Sequence, residues 1–254
     1  MNIFKKNPLL FMGIAITIFF LGIGLLRMDF LDILELKLYN VMVGLRGDPG
    51  SQSDIVIVDI DDDSIEKIGR WPWPRYILAD GIKKINSGDP KVIGLNLILS
   101  EPEESTGLKT VKELEALFTA TFSDKAGEKG AAYLQALRST MEKLDNDKKL
   151  AEAIKESGKV VLPVFFRESI TAGGEAKKAD AYLTGYSIQK IKSPANAEYY
   201  RADEMILPIP SFIEASIGIG HINFGNDVDG IARRERLVYE YRGLFFPSYT
   251  LKLA

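Results

Sequence analysis

From Leu9 to Leu26 the chain runs through 18 residues, LLFMGIAITIFFLGIGLL, without a charge. As a helix this stretch is about 27 Å long, close to the roughly 30 Å hydrocarbon core of a bilayer. It exceeds the apolar stretch of about 7–15 residues found in cleaved signal peptides, and no small-residue cleavage site follows it. Lys5 and Lys6 precede it and favour a cytoplasmic N-terminus. The expectation is one transmembrane helix, with a cytoplasmic tip, over residues 1–27. The rest of the chain then lies on the extracytoplasmic, periplasmic side of the inner membrane. Beyond it, Phe30, Ile33, Leu34, Leu38, Val41, Met42 and Leu45 recur at helical spacing. That spacing predicts an amphipathic juxtamembrane helix over 28–47.

The remainder, 48–254, alternates between strand and helix patterns. IVIVDI at Ile55–Ile60 and VIGLNLIL at Val92–Leu99 are short runs dominated by branched residues, which predicts two buried strands. Between them, Ser64 is an expected N-cap for a short helix, and Ile77, Leu78, Ile82 and Ile85 mark a second one. Strand, helix, strand makes a parallel βαβ core. A helical hairpin is expected as an insertion over about 103–146, from the spacing of Leu108, Val111, Leu114, Leu117 and Phe118 and of Leu134, Leu137, Met141 and Leu144. Asp147 to Glu156 reads as a further helix stopped by Gly158. VVLPVFF, Val160–Phe166, is a third strand, with Pro163 pointing to a strand end or an edge. GHINF at 220–224 and RRERLVYEY at 233–241 alternate like a C-terminal antiparallel hairpin, turned at NDVDG, 226–230. The predicted class is therefore α/β with a mixed sheet.

Composition narrows the function. The net charge is −3, so no basic surplus points to nucleic acid. The chain has no cysteine and one histidine, His221. Thiolate metal sites, cysteine nucleophiles and mechanisms needing two imidazoles are excluded. No cofactor is indicated.

The series IVIVDIDDDSIEKIGRWPWPR (Ile55–Arg75) is followed by GLNLILSEPE, DKKLAEAIKESGKVVLP, IGHINFGNDVDGIARRERL and FPSYTLKLA. In this order the segments resemble the CHASE2 family of bacterial extracytoplasmic sensor domains, from about Tyr39 to Leu253. The resemblance implies a sensory domain of a membrane signal-transduction receptor, not an enzyme. It passes a small-ligand or protein stimulus through its membrane helix to an output domain or partner outside this chain, such as a nucleotide cyclase or a kinase. A homodimer fits such a receptor. Family members usually carry Asp near the end of the second strand, where this chain has Asn96, so a role needing negative charge there is weakened. A structural or assembly scaffold at the cell surface is the alternative.

Ligands of parallel α/β sheets sit beyond the carboxyl ends of the strands. The candidate ligand-binding residues are therefore Asp61, Asp62 and Ser64 after the first strand and Asn96, Ser100 and Glu101 at the second. Trp71 and Trp73 can form an aromatic wall, with Arg70 or Arg75 binding an anionic group. Structural readings stand beside these. Asp61 or Asp62 can brace the loop by pairing with Arg70 or Arg75, and the tryptophans can pack the loop onto the domain. No catalytic or metal-ligating residue is assigned. A less favoured enzymatic reading is a Mg²⁺-dependent phosphatase of haloacid-dehalogenase type, with Asp59 as nucleophile, Asp61 as acid–base and Asp227 and Asp229 as a later pair. It leaves GRWPWPR without a job. Asp227-Val228-Asp229-Gly230 is better explained as a tight turn whose aspartates pair with Arg233 or Arg234. His221 is either a pH reporter or a structural residue of a strand.

Overall fold

An uncharged run can satisfy its backbone groups internally as a helix, and the N-terminal run does so. In the computed structural model it forms α1, Pro8–Leu25. The structure describes residues 8–25, 29–47, 50, 54–103, 105–122, 127–167, 181–192 and 199–254. Leu26, Lys5 and Lys6 lie outside them. At 1.5 Å per residue α1 is about 27 Å long. Among the described residues no helix is long and apolar enough to cross a membrane, so the fold by itself does not support the expected transmembrane helix. The helix α2, Asp29–Leu45, follows, with Ile33, Leu36 and Asn40 half-buried on one face.

In chain order come α3 (Asp62–Ile68), α4 (Arg75–Asn86), β1 (Ile93–Gly94), α5 (Thr106–Phe122), α6 (Gly127–Leu144), α7 (Asn146–Ser157) and β2 (Val160–Arg167). A 3-10 turn (Ala181–Tyr186) precedes β3 (Tyr200–Ala202), β4 (Glu204–Ile206), α8 (Pro210–Ala215) and β5 (Gly218–His221). The chain closes with β6 (Phe224–Gly225), β7 (Arg234–Glu235), β8 (Val238–Tyr241), β9 (Leu244–Pro247) and α9 (Tyr249–Leu253). These elements fall into two compact units, Met1–Val58 with Phe224–Arg234, and Asp59–Asn223 with Glu235–Ala254.

The second unit is built on β2. It pairs in parallel with β1 (Ile93 opposite Val160) and with β5 (Val161 opposite Gly218), and antiparallel with β4 (Phe165 opposite Ile206). Residues Val160–Val164 are all buried, as expected of a strand covered on both faces. Leu78, Ala79 and Ile82 of α4 and Leu150, Ala153 and Ile154 of α7 recur at helical spacing and supply the helical side of this core, with Phe212 and Ile213 of α8. A three-stranded sheet, β3–β8–β9, adds Tyr239 and Phe246, which pack on Phe166 at ring-centre distances of 5.2 and 5.8 Å. Helices α5 and α6 pack on each other, through Phe118 and Tyr133 at 4.9 Å among other contacts.

The mixed α/β class holds, but three expectations change. Residues 54–61 belong to no helix or ladder, and Ile55, Val56 and Ile57 are 77, 85 and 85 % exposed. They are not a buried strand, because no neighbouring strand pairs with them among the described residues. The parallel core is instead β1, β2 and β5, connected through α7 and α8. Pro163 lies within β2, not at an edge. The carbonyls of Val160 and Val164 face β5, receiving Ile217 N–H and Ile222 N–H, while Val161 faces Leu95. By alternation Pro163 faces the side shared by β1 and β4, between the pairings of β1 (Val160 and Val161) and of β4 (Phe165 to Arg167). The missing N–H falls in that gap. Finally, the C-terminal antiparallel hairpin is β8–β9. Its two-residue turn is Arg242-Gly243, with φ of 51° and 81°, the paired left-handed conformations that match hairpin twist. GHINF does not pair along RRERLVYEY. His221 belongs to β5 in the parallel core, and only Phe224–Gly225 pairs with Arg234–Glu235.

Candidate functional site at the start of two helices

The first turns of α4 and α7 need acceptors for free N–H groups. Glu103 supplies them for α4: its Oε2 accepts the Arg75 N–H at 2.7 Å. Its Oε1 accepts Asn146 Nδ2 at 2.7 Å. Asp147, in the first turn of α7, accepts the Glu103 N–H at 3.0 Å and an ion pair from Arg75. The other arm of the Arg75 guanidinium donates to the Glu101 carbonyl, and its plane lies 5.2 Å from the Phe212 ring centre. Four segments distant in sequence are thus tied by one arginine and two carboxylates.

Beside this network is a cleft of about 370 Å³. Pro102, Leu108, Ala151 and Ile209 give it apolar walls, and Glu103, Asp147, Lys112 and Ser211 give it polar ones. It lies at the carboxyl end of the segment that continues β1, whose Leu99 carbonyl accepts the Ile209 N–H at 2.9 Å. The acids that stabilise the two helix starts occupy the position an anion would otherwise take. What the cleft offers a ligand is an apolar floor, two lysines, Lys112 and Lys148, and the Ser211 hydroxyl.

The sequence-based candidates separate into groups. Arg75 and Glu101 come together here, although Arg75 is bound inward and Glu101 contributes its backbone. Ser100 and Asn96 lie exposed on the same segment. Asp61, not Ser64, is the N-cap of α3. Its Oδ1 accepts the Ser64 N–H at 2.9 Å and the Ser64 hydroxyl at 2.5 Å, and these bonds hold its carboxyl below the usual carboxylate range. Asp62 is exposed in the first turn of the same helix, and Arg70 is exposed in the loop that follows. Neither aspartate pairs with Arg70 or Arg75. Trp71 and Trp73 pack edge to face at 5.5 Å, and Trp73 Nε1 donates to the Gly69 carbonyl at 2.6 Å. Trp71 also rests on the hydrophobic core. Glu103, Asn146 and the tie from Asp147 to Arg75 are not foreseen by the sequence reading. The acidic EPEE after a strand was the available signal, but the partners are 43 to 72 residues away.

For the phosphatase reading, Asp59 follows no strand, and its Oδ1 accepts the N–H of its own neighbour Ile60 at 2.9 Å. Asp227 and Asp229 are engaged by Arg233, at 2.9 Å and at 2.8 and 2.6 Å. That pairing matches the tight-turn reading, with Gly230 at φ 81°. Among the described residues no group of three or more His, Asp or Glu side chains could hold a metal ion.

His221 is buried in β5, edge-on to Tyr239 at 4.8 Å, and neither ring nitrogen has a hydrogen-bond partner. Burial lowers its pKa to about 4. The Glu235 carboxylate and the nearby backbone of Arg236 and Leu237 offset part of that cost without forming a bond of normal geometry.

A family model described as CHASE2 domain matches residues 14–254. No curated protein and no solved structure matched.

Proposed function

The chain belongs to the CHASE2 domain family, a family of extracytoplasmic sensory domains, and from that premise we propose that it receives a stimulus outside a membrane and transmits it through α1 and α2 to an output domain or partner. The family match over nearly the whole chain carries this reading. Membrane anchoring is proposed from the sequence of α1, which contains no charge and whose apolar side chains between Leu9 and Leu21 are largely exposed. Such a surface suits lipid. The proposed stimulus site is the cleft beside Glu103 and Asp147; Arg70, Trp71, Trp73, Asn96 and Ser100, with Asp61, Asp62 and Ser64 at the start of α3, are proposed as further ligand contacts outside its lining. Arg75 and Glu101 hold the site's wall. A ligand there acts only if it binds two conformations with different affinity. Movement of the α5–α6 hairpin is the simplest such change, since Leu108 and Lys112 of α5 line the cleft.

A reporter fused to the N-terminal tip tests this reading. The expected result is an output that responds to an external cue and is lost in Ala151→Trp, which fills the cleft. Output indifferent to every cue, or a full response in Ala151→Trp, would contradict it.

A further inference from the structure

One guanidinium in the first unit makes more contacts than a tight turn requires. Arg233 Nη1 donates to Asp227 Oδ2 at 2.9 Å and Asp229 Oδ1 at 2.8 Å, and Nη2 donates to Asp229 Oδ2 at 2.6 Å. These bonds close the turn over Asp227–Gly230, which its own backbone already defines through Gly230 N–H to the Asp227 carbonyl at 2.8 Å. The same guanidinium then reaches α2. Nε and Nη2 both donate to Asn40 Oδ1, at 3.2 and 2.9 Å, across 193 positions of sequence. The Arg233 and Asp229 side chains are only 11 and 10 % exposed, and the two parallel bonds fix their geometry more closely than a single-bonded surface ion pair. Asn40 is the polar member of the half-buried face of α2, below Ile33 and Leu36.

The turn is also rooted in the sensory core by the chain itself. Immediately before it, Asn223 is buried and clamps β2: its Oδ1 accepts the Phe166 N–H at 2.8 Å and its Nδ2 donates to the Phe166 carbonyl at 2.6 Å. After it the chain passes through the short β7 into β8, whose Tyr239 and Tyr241 are buried. A segment fixed at both ends to core strands therefore grips the helix that follows α1.

We infer that Arg233 is a coupling residue: through Asn40 it ties α2 to the loop 224–234, so that a displacement of the core strands β5 and β8 is carried to the helix leading to the membrane. This inference rests on the sensory reading for its meaning, but its physical content, a coupling between Asn223 and α2, is measurable without any stimulus.

The test is hydrogen exchange on the full chain in lipid bilayers, with four proteins: the parent, Asn40→Leu, Asn223→Ala and the double variant. Asn40→Leu leaves the ion pairs of Arg233 with Asp227 and Asp229 intact. It is expected to speed exchange in the second half of α2 by about tenfold while the turn stays protected. Asn223→Ala is expected to speed α2 exchange in the parent background and to add nothing in Asn40→Leu. Arg233→Ala, which opens both turn and helix, is the companion variant, and Arg233→Lys should restore the turn more than the helix, because an ammonium lacks the fork that reaches Asn40. If α2 exchanges at the parent rate in Asn40→Leu, or if Asn223→Ala acts on α2 equally in both backgrounds, Arg233 merely braces its own turn and the inference fails. The sensory reading would be untouched by that failure, since it stands on the cue response of the cleft.

Discussion

His221 and Arg75 show how single side chains set the stability of the second unit. An unfolded histidine titrates near 6.5, whereas in the fold burial lowers this to about 4. The neutral ring is thus the one the fold accepts. The associated stability is complete above pH 6.5 and is lost as pH falls towards 4, by an amount on the order of 3 kcal/mol. Denaturant melts between pH 7 and pH 4 should show this slope, and His221→Leu should remove most of it. An unchanged slope in His221→Leu would assign it to carboxylates instead. Arg75 carries the opposite logic, because its partner is charged. Arg75→Ala leaves Asp147 partly buried without its counter-ion, and the expected loss is about 3 kcal/mol, read as a lower thermal midpoint.

At the scale of elements, local geometry decides what each segment tolerates. The β8–β9 turn requires positive φ at Gly243, and no neighbouring atom obstructs a Cβ there. Gly243→Val should therefore cost about 1–2 kcal/mol through backbone strain alone. Gly220 is constrained differently. A Cβ at this position in β5 would lie 2.6 Å from the Tyr249 Cα and 2.9 Å from the Ser248 carbonyl oxygen. Gly220→Ala must push α9 away from β5, and protease resistance of the C-terminal residues should fall. Elements whose signal is local were legible in the sequence: α4 and α7 from their apolar spacing, the α7 stop from Gly158 at φ 60°, and the buried run of β2. Where a neighbour decides, the sequence misled. Ile55–Val58 has the composition of a buried strand, yet strand formation depends on a paired edge that composition cannot report. Pro163 is tolerated inside β2 because two partner strands end on either side of it, a fact of register. The same holds for the site. Arg75 and Glu101 were legible as neighbours of a strand end, but Glu103 and Asn146 were not, because their bonds join segments 28 to 43 residues apart.

At the scale of the whole molecule, the chain carries a charge-free helix, a helix bonded to Arg233 through Asn40, and an α/β unit whose cleft opens beside two helix starts. Each part has its own chemistry: uncharged apolar side chains for α1, a guanidinium–amide contact for α2, and apolar burial with satisfied acids for the α/β core. These make one receptor only if the α/β unit stands on the far side of the membrane from the N-terminal tip. The absence of cysteine makes that placement directly measurable, since an engineered thiol is then unique. Lys155→Cys, on the exposed side of α7, should react with a membrane-impermeant maleimide in cells whose inner membrane is intact, to the same extent as after lysis. Labelling that appears only after the inner membrane is broken would put the domain in the cytoplasm and contradict the reception of an external cue.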